Sequence, residues 1–500
     1  MTIAKTHYLH SRNGRIGGTG VDHGPADVDA IIAAIKSSSR KRLVMHFHGG
    51  LVSKAPAMGI AENLMPVYAA GGYPIFFVWE SGPWETIRNN LADIAKESIF
   101  QELVRKLIEY TLGKVGAQAG TRSIAANAVD PDEVKARVRA FFSNPVTNPV
   151  PYADAHALLT QATRATEPMI EENAIQMDLE QDADFVRALQ SIADVPTATR
   201  GALGIGDVAR ESTQMDAAAL AEIAPAQRGA TRGMLSMVNV SIRIAAVLTR
   251  IVKRFFAGRD HGFHATVVEE VLRAFYGDVI GKTFFWNQMK KDTQDAFGGD
   301  PNLHAGTALF SRLKSAMADD LSLERVYLIG HSTGCIYISH LLKAIDAMQF
   351  DPGLKFDIVF LAPANTHKLF AETLRNHSGR IRGFRMFAMD DQLEQDDGLL
   401  GDDWKRAFYP SSLLYFVSGL LEDEVDMPLV GMQRFHMNGK FAAPKYPESD
   451  ASRGWLNHSA ERTAWSIADH GDGRRTQSRK HGNFDNDPST LASLKWIVSN

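Results

Sequence analysis

The stretch from Arg325 to Ile336 reads RVYLIGHSTGCI and decides the fold of this chain. Its first part, Arg325–Ile329, is a short apolar run rich in β-branched and aromatic residues, which is typical of a strand buried on both faces. Two glycines then bracket a serine at position 332, and Ile336–Met348 has helical periodicity. A strand that runs through a tight turn directly into a helix is the repeating unit of a parallel α/β sheet.

Comparable apolar runs recur along the chain and alternate with helical patterns. Further strands are predicted at Leu43–Phe47, Tyr73–Trp79, Phe356–Leu361 and Ile381–Met389. Helices are predicted at Ala26–Lys36 and Ala61–Ala69, and at Phe263–Tyr276 and Gly306–Met317. The alternation predicts an α/β fold with a doubly wound, mostly parallel sheet and right-handed crossovers.

The region 83–262 interrupts this alternation, because its patterns are mostly helical and contain no convincing strand. A chain of 500 residues also exceeds what one hydrophobic core usually organises. We therefore predict a first core segment at 1–82, a large helical cap insertion at 83–262, and a second core segment at 263–500.

The longest amphipathic pattern of the insertion is Met234–Phe256, which ends in a basic cluster. We interpret it as a cap helix packed on its neighbours, since amphipathic helices usually bury their apolar stripe internally. Two alternatives remain open: a lid over an apolar acyl pocket, and a weak contact with a membrane surface.

Composition excludes several classes of partner and site. Lysine and arginine number 54 against 58 aspartate and glutamate, for a formal charge of −4 and without a long basic run, so nucleic acid is not an expected partner. The single cysteine, Cys335, excludes an intrachain disulfide and a multi-cysteine metal site. With no signal-peptide pattern and no membrane-spanning run either, we expect a cytoplasmic protein.

Gly330-His331-Ser332-Thr333-Gly334 carries the clearest chemical signal. A G-x-S-x-G pattern between a strand and a helix is a nucleophile elbow, in which the sharp turn projects the serine hydroxyl above the sheet. The glycines leave room for the strained backbone, and the helix directs its N-terminal amides at the site. This predicts Ser332 as a nucleophile; the alternative is a structural turn with an incidental serine.

The predicted strand at Leu43–Phe47 ends at His48-Gly49-Gly50. Glycines allow backbone N–H groups to approach a reacting carbonyl closely, so Gly49 and Gly50 are candidates for an oxyanion hole together with the N–H of Thr333. His46 and His48 are spaced by two residues, but without a nearby carboxylate they are predicted as strand-end histidines and not as metal ligands.

The order of strand, HGG loop, strand and G-H-S-T-G elbow resembles the α/β-hydrolase superfamily, in its lipase- and esterase-like part. The likeness covers roughly residues 40 to 80 and 320 to 500. It implies a catalytic triad in the chain order serine, acid, histidine. The insertion resembles the caps and lids of that family.

For the acid, the family position lies after a late strand, where Met389 leads into Asp390-Asp391-Gln392-Leu393-Glu394. Side chains alternate along an extended chain, so only one of the adjacent aspartates can face the histidine. We predict Asp391, with Asp390 as the alternative and Glu394 or Asp397 as more distant ones.

For the base, we predict His481. It lies in a polar loop before Asp487, which can cap a helix, and Pro488, which suits its first position. A loop histidine before the last helix is where the resembled family places its base. The alternatives are His470, then His367 and His436.

The resemblance thus implies a carboxylic-ester hydrolase that works through Ser332, Asp391 and His481, with no metal and no organic cofactor, acting on a small-molecule ester or an acyl lipid. The alternatives are a lipid-acting hydrolase or thioesterase with a lid, and a catalytically inactive hydrolase-fold binding module. Cys335 is predicted to pack as a buried small side chain.

Overall fold

The computed structural model describes residues 3–50, 52–81, 84–118, 131–144, 147–151, 172–193, 213–223, 230–399, 408–437 and 446–500. The chain forms two compact units. The first comprises Met1–Trp84, Thr283–Asp397 and Ser412–Asn500, and the second comprises Glu85–Lys282 and Gly398–Ser411.

A seven-stranded sheet organises the first unit. Its strands are β1 Tyr8–Arg12, β2 Arg42–Phe47, β3 Tyr73–Glu80, β4 Arg325–His331, β5 Phe356–Leu361, β6 Ile381–Met389 and β7 Thr463–Ser466. They lie in the order β1-β3-β2-β4-β5-β6-β7, and each neighbouring pair is parallel. A separate antiparallel pair joins β8 Ala468–Asp469 to β9 Arg475–Thr476.

Helices cover both faces of this sheet. The α-helices of the first unit are Pro25–Ser37, Lys54–Ala69, Lys282–Asp295, Ala305–Asp319, Thr333–Ala347, His367–His377, Asp391–Asp396, Leu413–Phe416, Asp450–Asn457 and Pro488–Ser499. The third of them begins at Lys282, which belongs to the second unit. Short 3₁₀ turns lie at Lys5–His7, Ser378–Arg380, Gln433–His436, Pro447–Ser449 and His481–Asn483, and a π turn lies at Val417–Leu421.

The two faces are built from alternate residues of the strands. On one face, Leu64 of the helix after β2 and Leu494 of the last helix join a buried cluster with Val44 and Ile329. On the other face, Tyr337 of the helix after β4 packs its ring 4.9 Å from that of Phe47. Burial on both sides explains why the central strands are continuous apolar runs.

The chain reverses its direction across the sheet between β2 and β4. The connection from β2 leads to β3 on one side, whereas the connection from β4 leads to β5 on the other. In open α/β sheets, ligands bind in the crevice outside the carboxyl ends of the strands at such a switch point. A ligand-binding site is therefore expected at the residues that follow β2 and β4.

The α/β class and the parallel sheet predicted from the sequence are confirmed. The strand at Phe356–Leu361 and that at Ile381–Met389 have the predicted bounds. Two edge strands, β1 and β7, were not predicted. Both are short and mixed in polarity, reading YLHSR and TAWS, so neither has the continuous apolar run that identifies an inner strand.

The described residues of the second unit are mostly helical. Its α-helices are Trp84–Ile94, Ser98–Gln118, Pro131–Ser143, Glu172–Gln181, Ala183–Ala193, Ala217–Ile223, Ala230–Ala257, Phe263–Phe275 and Gly277–Ile280, the first of which begins at the last residue of the first unit. The unit extends to Lys282, beyond the predicted end of the insertion at 262, and also includes Gly398–Ser411. The predicted boundary at 82–83 falls outside the described residues.

The amphipathic pattern at Met234–Phe256 lies within the helix Ala230–Ala257. Ile244, Leu248 and Ile251 on this helix are fully buried. At its basic end, Arg254 is also buried and contacts Glu269 at 2.6 Å and Glu270 at 3.2 Å. These contacts pack the helix inside the second unit, as predicted for a cap helix. Among the described residues, no helix is both long and apolar enough to span a membrane.

Gly71 gives a test of how the last helix packs. A methyl group at this position would lie 2.0 Å from the carbonyl oxygen of Val498. We expect Gly71→Ala to lower the free energy of unfolding by about 1–3 kcal/mol, because the last helix must move. The matched control is Gly59→Ala, in a helix with no atom within 4 Å of the added methyl, which should gain about 0.5–1 kcal/mol. Urea unfolding measures both; equal effects would contradict this packing.

Candidate active site

Ser332 lies between the end of β4 and the helix Thr333–Ala347, in a backbone conformation that a serine rarely adopts. Its φ is 51° and its ψ is −114°. Three backbone hydrogen bonds hold it there: its N–H donates to the carbonyl of Leu361 at 2.8 Å, and its own carbonyl accepts from the N–H of Cys335 at 3.1 Å and from that of Ala364 at 3.2 Å. Strained non-glycine residues of this kind concentrate at functional sites.

The elbow glycines are required by close backbone contacts. A methyl group on Gly330 would lie 2.8 Å from the carbonyl carbon of Gly334. A methyl group on Gly334 would lie 2.0 Å from the carbonyl oxygen of Phe47, the last residue of β2. The start of the helix can therefore approach the end of β2 only because position 334 has no side chain.

His481 contacts the serine directly. Its Nε2 lies 3.0 Å from Oγ of Ser332. His481 begins a 3₁₀ turn that leads to the last helix, where the side chain of Asp487 accepts from the N–H of Thr490 and Pro488 occupies the first turn. The cap and the proline fix where this helix starts, and so fix the loop that carries His481.

Burial controls the charge of His481. Because the side chain is removed from water and lies near His331, its pKa is lowered to about 3, although Asp485 opposes the effect. The imidazole is therefore neutral at neutral pH. When Nε2 accepts the serine hydroxyl proton in a hydrogen bond, the ring proton must lie on Nδ1.

The HGG loop lies against the elbow. A methyl group on Gly49 would lie 3.5 Å from Cβ of Ser332, and one on Gly50 would lie 2.6 Å from Oγ1 of Thr333. Thr333 is the first residue of its helix, where backbone N–H groups have no partner within the helix. The structure therefore brings Gly49, Gly50 and Thr333 together beside Ser332.

His48 fixes the orientation of this loop. Its Nε2 accepts from the N–H of Trp79 at 3.1 Å, so its Nδ1 carries the proton and donates to the carbonyl of Gly49 at 2.6 Å. A trans peptide directs its C=O and N–H to opposite sides. With the Gly49 carbonyl held by His48, the N–H of Gly50 points away from His48.

His46 and His48 contact different neighbours in the first unit. Both ring nitrogens of His48 are used by the protein, as described above. His46 lies on the sheet face with Tyr68, whose hydroxyl is 3.0 Å from its Nδ1. Burial lowers the pKa of His46 to about 3 and that of His48 to about 4, so both are neutral.

The two predicted acids are engaged elsewhere. The side chain of Asp390 caps the helix Asp391–Asp396 by accepting from the N–H of Leu393 at 2.8 Å. Asp391 accepts from the hydroxyl of Tyr415 and lies 3.3 Å from Nε of Arg434. Neither contacts His481, whose Nδ1 has no hydrogen-bond partner in the part of the chain that the structure describes.

The carboxylate that hydrogen-bonds to the backbone of His481 belongs to Asp397. Its Oδ2 accepts from the backbone N–H of His481 at 2.7 Å. The prediction of Asp391 placed the acid directly after β6, where the chain instead forms a six-residue helix before it reaches Asp397. The signal that identifies this helix is Asp390 itself, since aspartate is a preferred N-cap.

The remaining candidates lie away from the serine. His470 is exposed at the turn between β8 and β9. His367 and His436 are buried against each other, with ring centroids 5.1 Å apart, and bond to Ser452 and Val430. Glu394 is buried against Ser412. Cys335 is buried with Sγ 3.1 Å from the carbonyl of Gly330, as expected for a packing residue.

The chain matches no family model, and comparison with curated proteins and with solved structures finds no match.

The buried neutral histidines predict a loss of stability in acid. An unfolded histidine takes up a proton below about pH 6.5, whereas His48 stays neutral to about pH 4 in the folded state. The free energy of unfolding should therefore fall as the pH falls between these values, by up to about 1.4 kcal/mol per pH unit for each such histidine.

Replacing His48 with glutamine should make the free energy of unfolding depend less steeply on pH. Urea unfolding at pH 6.5 and at lower pH measures this slope. His470→Gln is the matched control: because His470 is exposed, that variant should keep the slope of the unmodified protein. An unchanged slope in His48→Gln would contradict the assignment of a neutral His48.

Proposed function

We propose that this chain is a serine hydrolase that cleaves carboxylic esters through an acyl-enzyme formed on Ser332. The observation that carries the proposal is the 3.0 Å contact between Oγ of Ser332 and Nε2 of His481. A serine hydroxyl is a weak nucleophile until an adjacent base accepts its proton. Here the base is a neutral imidazole, and the serine is held at a strand-to-helix elbow.

In the proposed reaction, Nε2 of His481 takes the hydroxyl proton while Oγ of Ser332 bonds to the ester carbonyl carbon. The carbonyl oxygen becomes an oxyanion, and the N–H groups of Gly50 and Thr333 are the donors for it. Collapse of this intermediate breaks the bond to the alcohol, which takes the proton from His481. Water then repeats the sequence on the acyl group and regenerates the serine.

We further propose Asp397 as the acid that orients His481. In the structure its carboxylate accepts from the backbone N–H of His481, and Nδ1 of the same residue has no partner among the described residues. The proposal requires that a rotation of the Asp397 side chain carry its carboxylate from the backbone N–H to Nδ1 of the same histidine. A carboxylate on Nδ1 would hold the required tautomer and stabilise the imidazolium that forms.

The length of the acyl chain distinguishes two kinds of ester hydrolase. Short esters require the elbow and the oxyanion donors alone, whereas an acyl lipid also requires an apolar surface for its chain. The relative rates on short and long esters therefore distinguish an esterase from a lipid-acting hydrolase.

Ser332→Ala should abolish turnover of p-nitrophenyl esters and labelling by a fluorophosphonate, because both need the activated hydroxyl. The unmodified protein should carry one adduct, located at Ser332 by peptide mass spectrometry. Cys335→Ser, at a buried residue in the same helix, is the control and should still be labelled. Labelling at another serine, or turnover that survives in Ser332→Ala, would refute the proposal.

The two acid assignments predict opposite results. Asp397→Asn should lower kcat on the order of 10⁴-fold, the effect of losing a triad carboxylate. Asp391→Asn, a matched change six residues earlier, should keep kcat within about tenfold, because Asp391 bonds to Tyr415 and not to His481. Thermal unfolding of both variants checks that each is folded. A large loss only in Asp391→Asn would reverse the assignment.

A further inference from the structure

A buried pair of charged side chains lies behind the proposed base. His331, the residue before Ser332, has Nδ1 3.5 Å from Oδ2 of Asp485. Both side chains are almost fully buried, with His331 5% exposed and Asp485 1% exposed. The two residues come from different parts of the first unit, the end of β4 and the loop before the last helix.

The surroundings of this pair favour a protonated His331. A carboxylate that is removed from water is stable only when it is paired with a positive group or hydrogen-bonded. Burial alone would raise the pKa of Asp485 and lower that of His331, but the attraction and hydrogen bonds at this pair lower the pKa of Asp485 and raise that of His331. His46 and His48 also lie near, but their own burial keeps them neutral.

His331 acts on His481 through two contacts. Its Nε2–H donates to the backbone carbonyl of His481 at 2.9 Å. The two imidazole rings lie with their centroids 5.5 Å apart. The first contact holds the backbone that carries the base, and the second places a positive charge beside the ring that must accept a proton.

We propose that His331 and Asp485 are a positioning pair for the base: His331 anchors the backbone of His481, and its positive charge adds to burial in keeping the His481 imidazole neutral. This inference rests on the proposed function of Ser332 and His481. The charged groups that face His481 are then His331, Asp485 and Asp397, of which only His331 disfavours a second proton on the ring.

His331→Gln separates the two effects. The amide nitrogen of glutamine can still donate to the His481 carbonyl, but the positive charge is lost. The measurement is the rate of fluorophosphonate labelling at Ser332 in brief pulses across a range of pH, since the rate rises as His481 loses its proton. We expect the midpoint of this rise to move upward by about one to two pH units in His331→Gln.

His331→Leu, which loses the donor as well, should be labelled at least about tenfold more slowly than His331→Gln at the plateau, because the base is no longer anchored. Asp485→Asn provides a second route if His331→Gln does not fold. It removes the carboxylate that keeps His331 charged, so the midpoint should move upward as well, but less, since Asp485 itself attracts a proton to His481.

The outcomes are distinguishable. A midpoint that is unchanged in His331→Gln and in Asp485→Asn, with Ser332 still labelled, overturns the positioning pair and leaves the proposed hydrolase in place. No labelling of the unmodified protein at any pH overturns both. An upward shift in folded variants, which a purely structural role would not produce, supports the pair.

Discussion

The contact between Gly334 and the carbonyl of Phe47 is the constraint on which the site depends. A methyl group at position 334 would lie 2.0 Å from that oxygen. The helix after β4 therefore packs directly against the end of β2, and any side chain at position 334 would separate them. β2 and β4 are neighbours at the point where the chain reverses direction across the sheet. The elbow that follows one strand and the HGG loop that follows the other therefore meet, and amide donors come to lie beside a strained serine.

Burial decides the charge of the histidines around Ser332. His46, His48 and His481 are all neutral because water is excluded from them, and in our proposal the buried positive charge lies on His331 beside Asp485. A neutral imidazole that contacts a serine is a base ready to accept a proton. Burying these histidines lowers the free energy of unfolding in acid, because each takes up a proton more readily in the unfolded chain. The same burial keeps the imidazole of the proposed base neutral.

The sequence predicts those parts of the fold and site that are local. The elbow at Ser332 and the loop of His481 were found because each lies between elements with clear signals: an apolar strand, a helix, an aspartate cap and a proline. The roles proposed for these two residues remain predictions, but the structure brings them within 3.0 Å.

The parts that depend on long-range contacts were not predicted. Asp391 was preferred because it has just left the predicted strand and can turn back over its end, with Asp397 as a more distant alternative. In the structure, Asp390 caps a short helix that carries the chain on to Asp397. The pair of His331 with Asp485 joins residues far apart in sequence. The second unit ends at Lys282 and includes Gly398–Ser411. Local composition does not indicate either boundary, because both depend on contacts between distant parts of the chain.

A crystal structure of the protein after reaction with a fluorophosphonate tests the central claim most directly, since the adduct mimics the tetrahedral intermediate. The account predicts phosphorus bonded to Oγ of Ser332, with its oxygen within hydrogen-bond distance of the N–H groups of Gly50 and Thr333. An adduct on another residue, or a phosphoryl oxygen turned away from both amides, would contradict it.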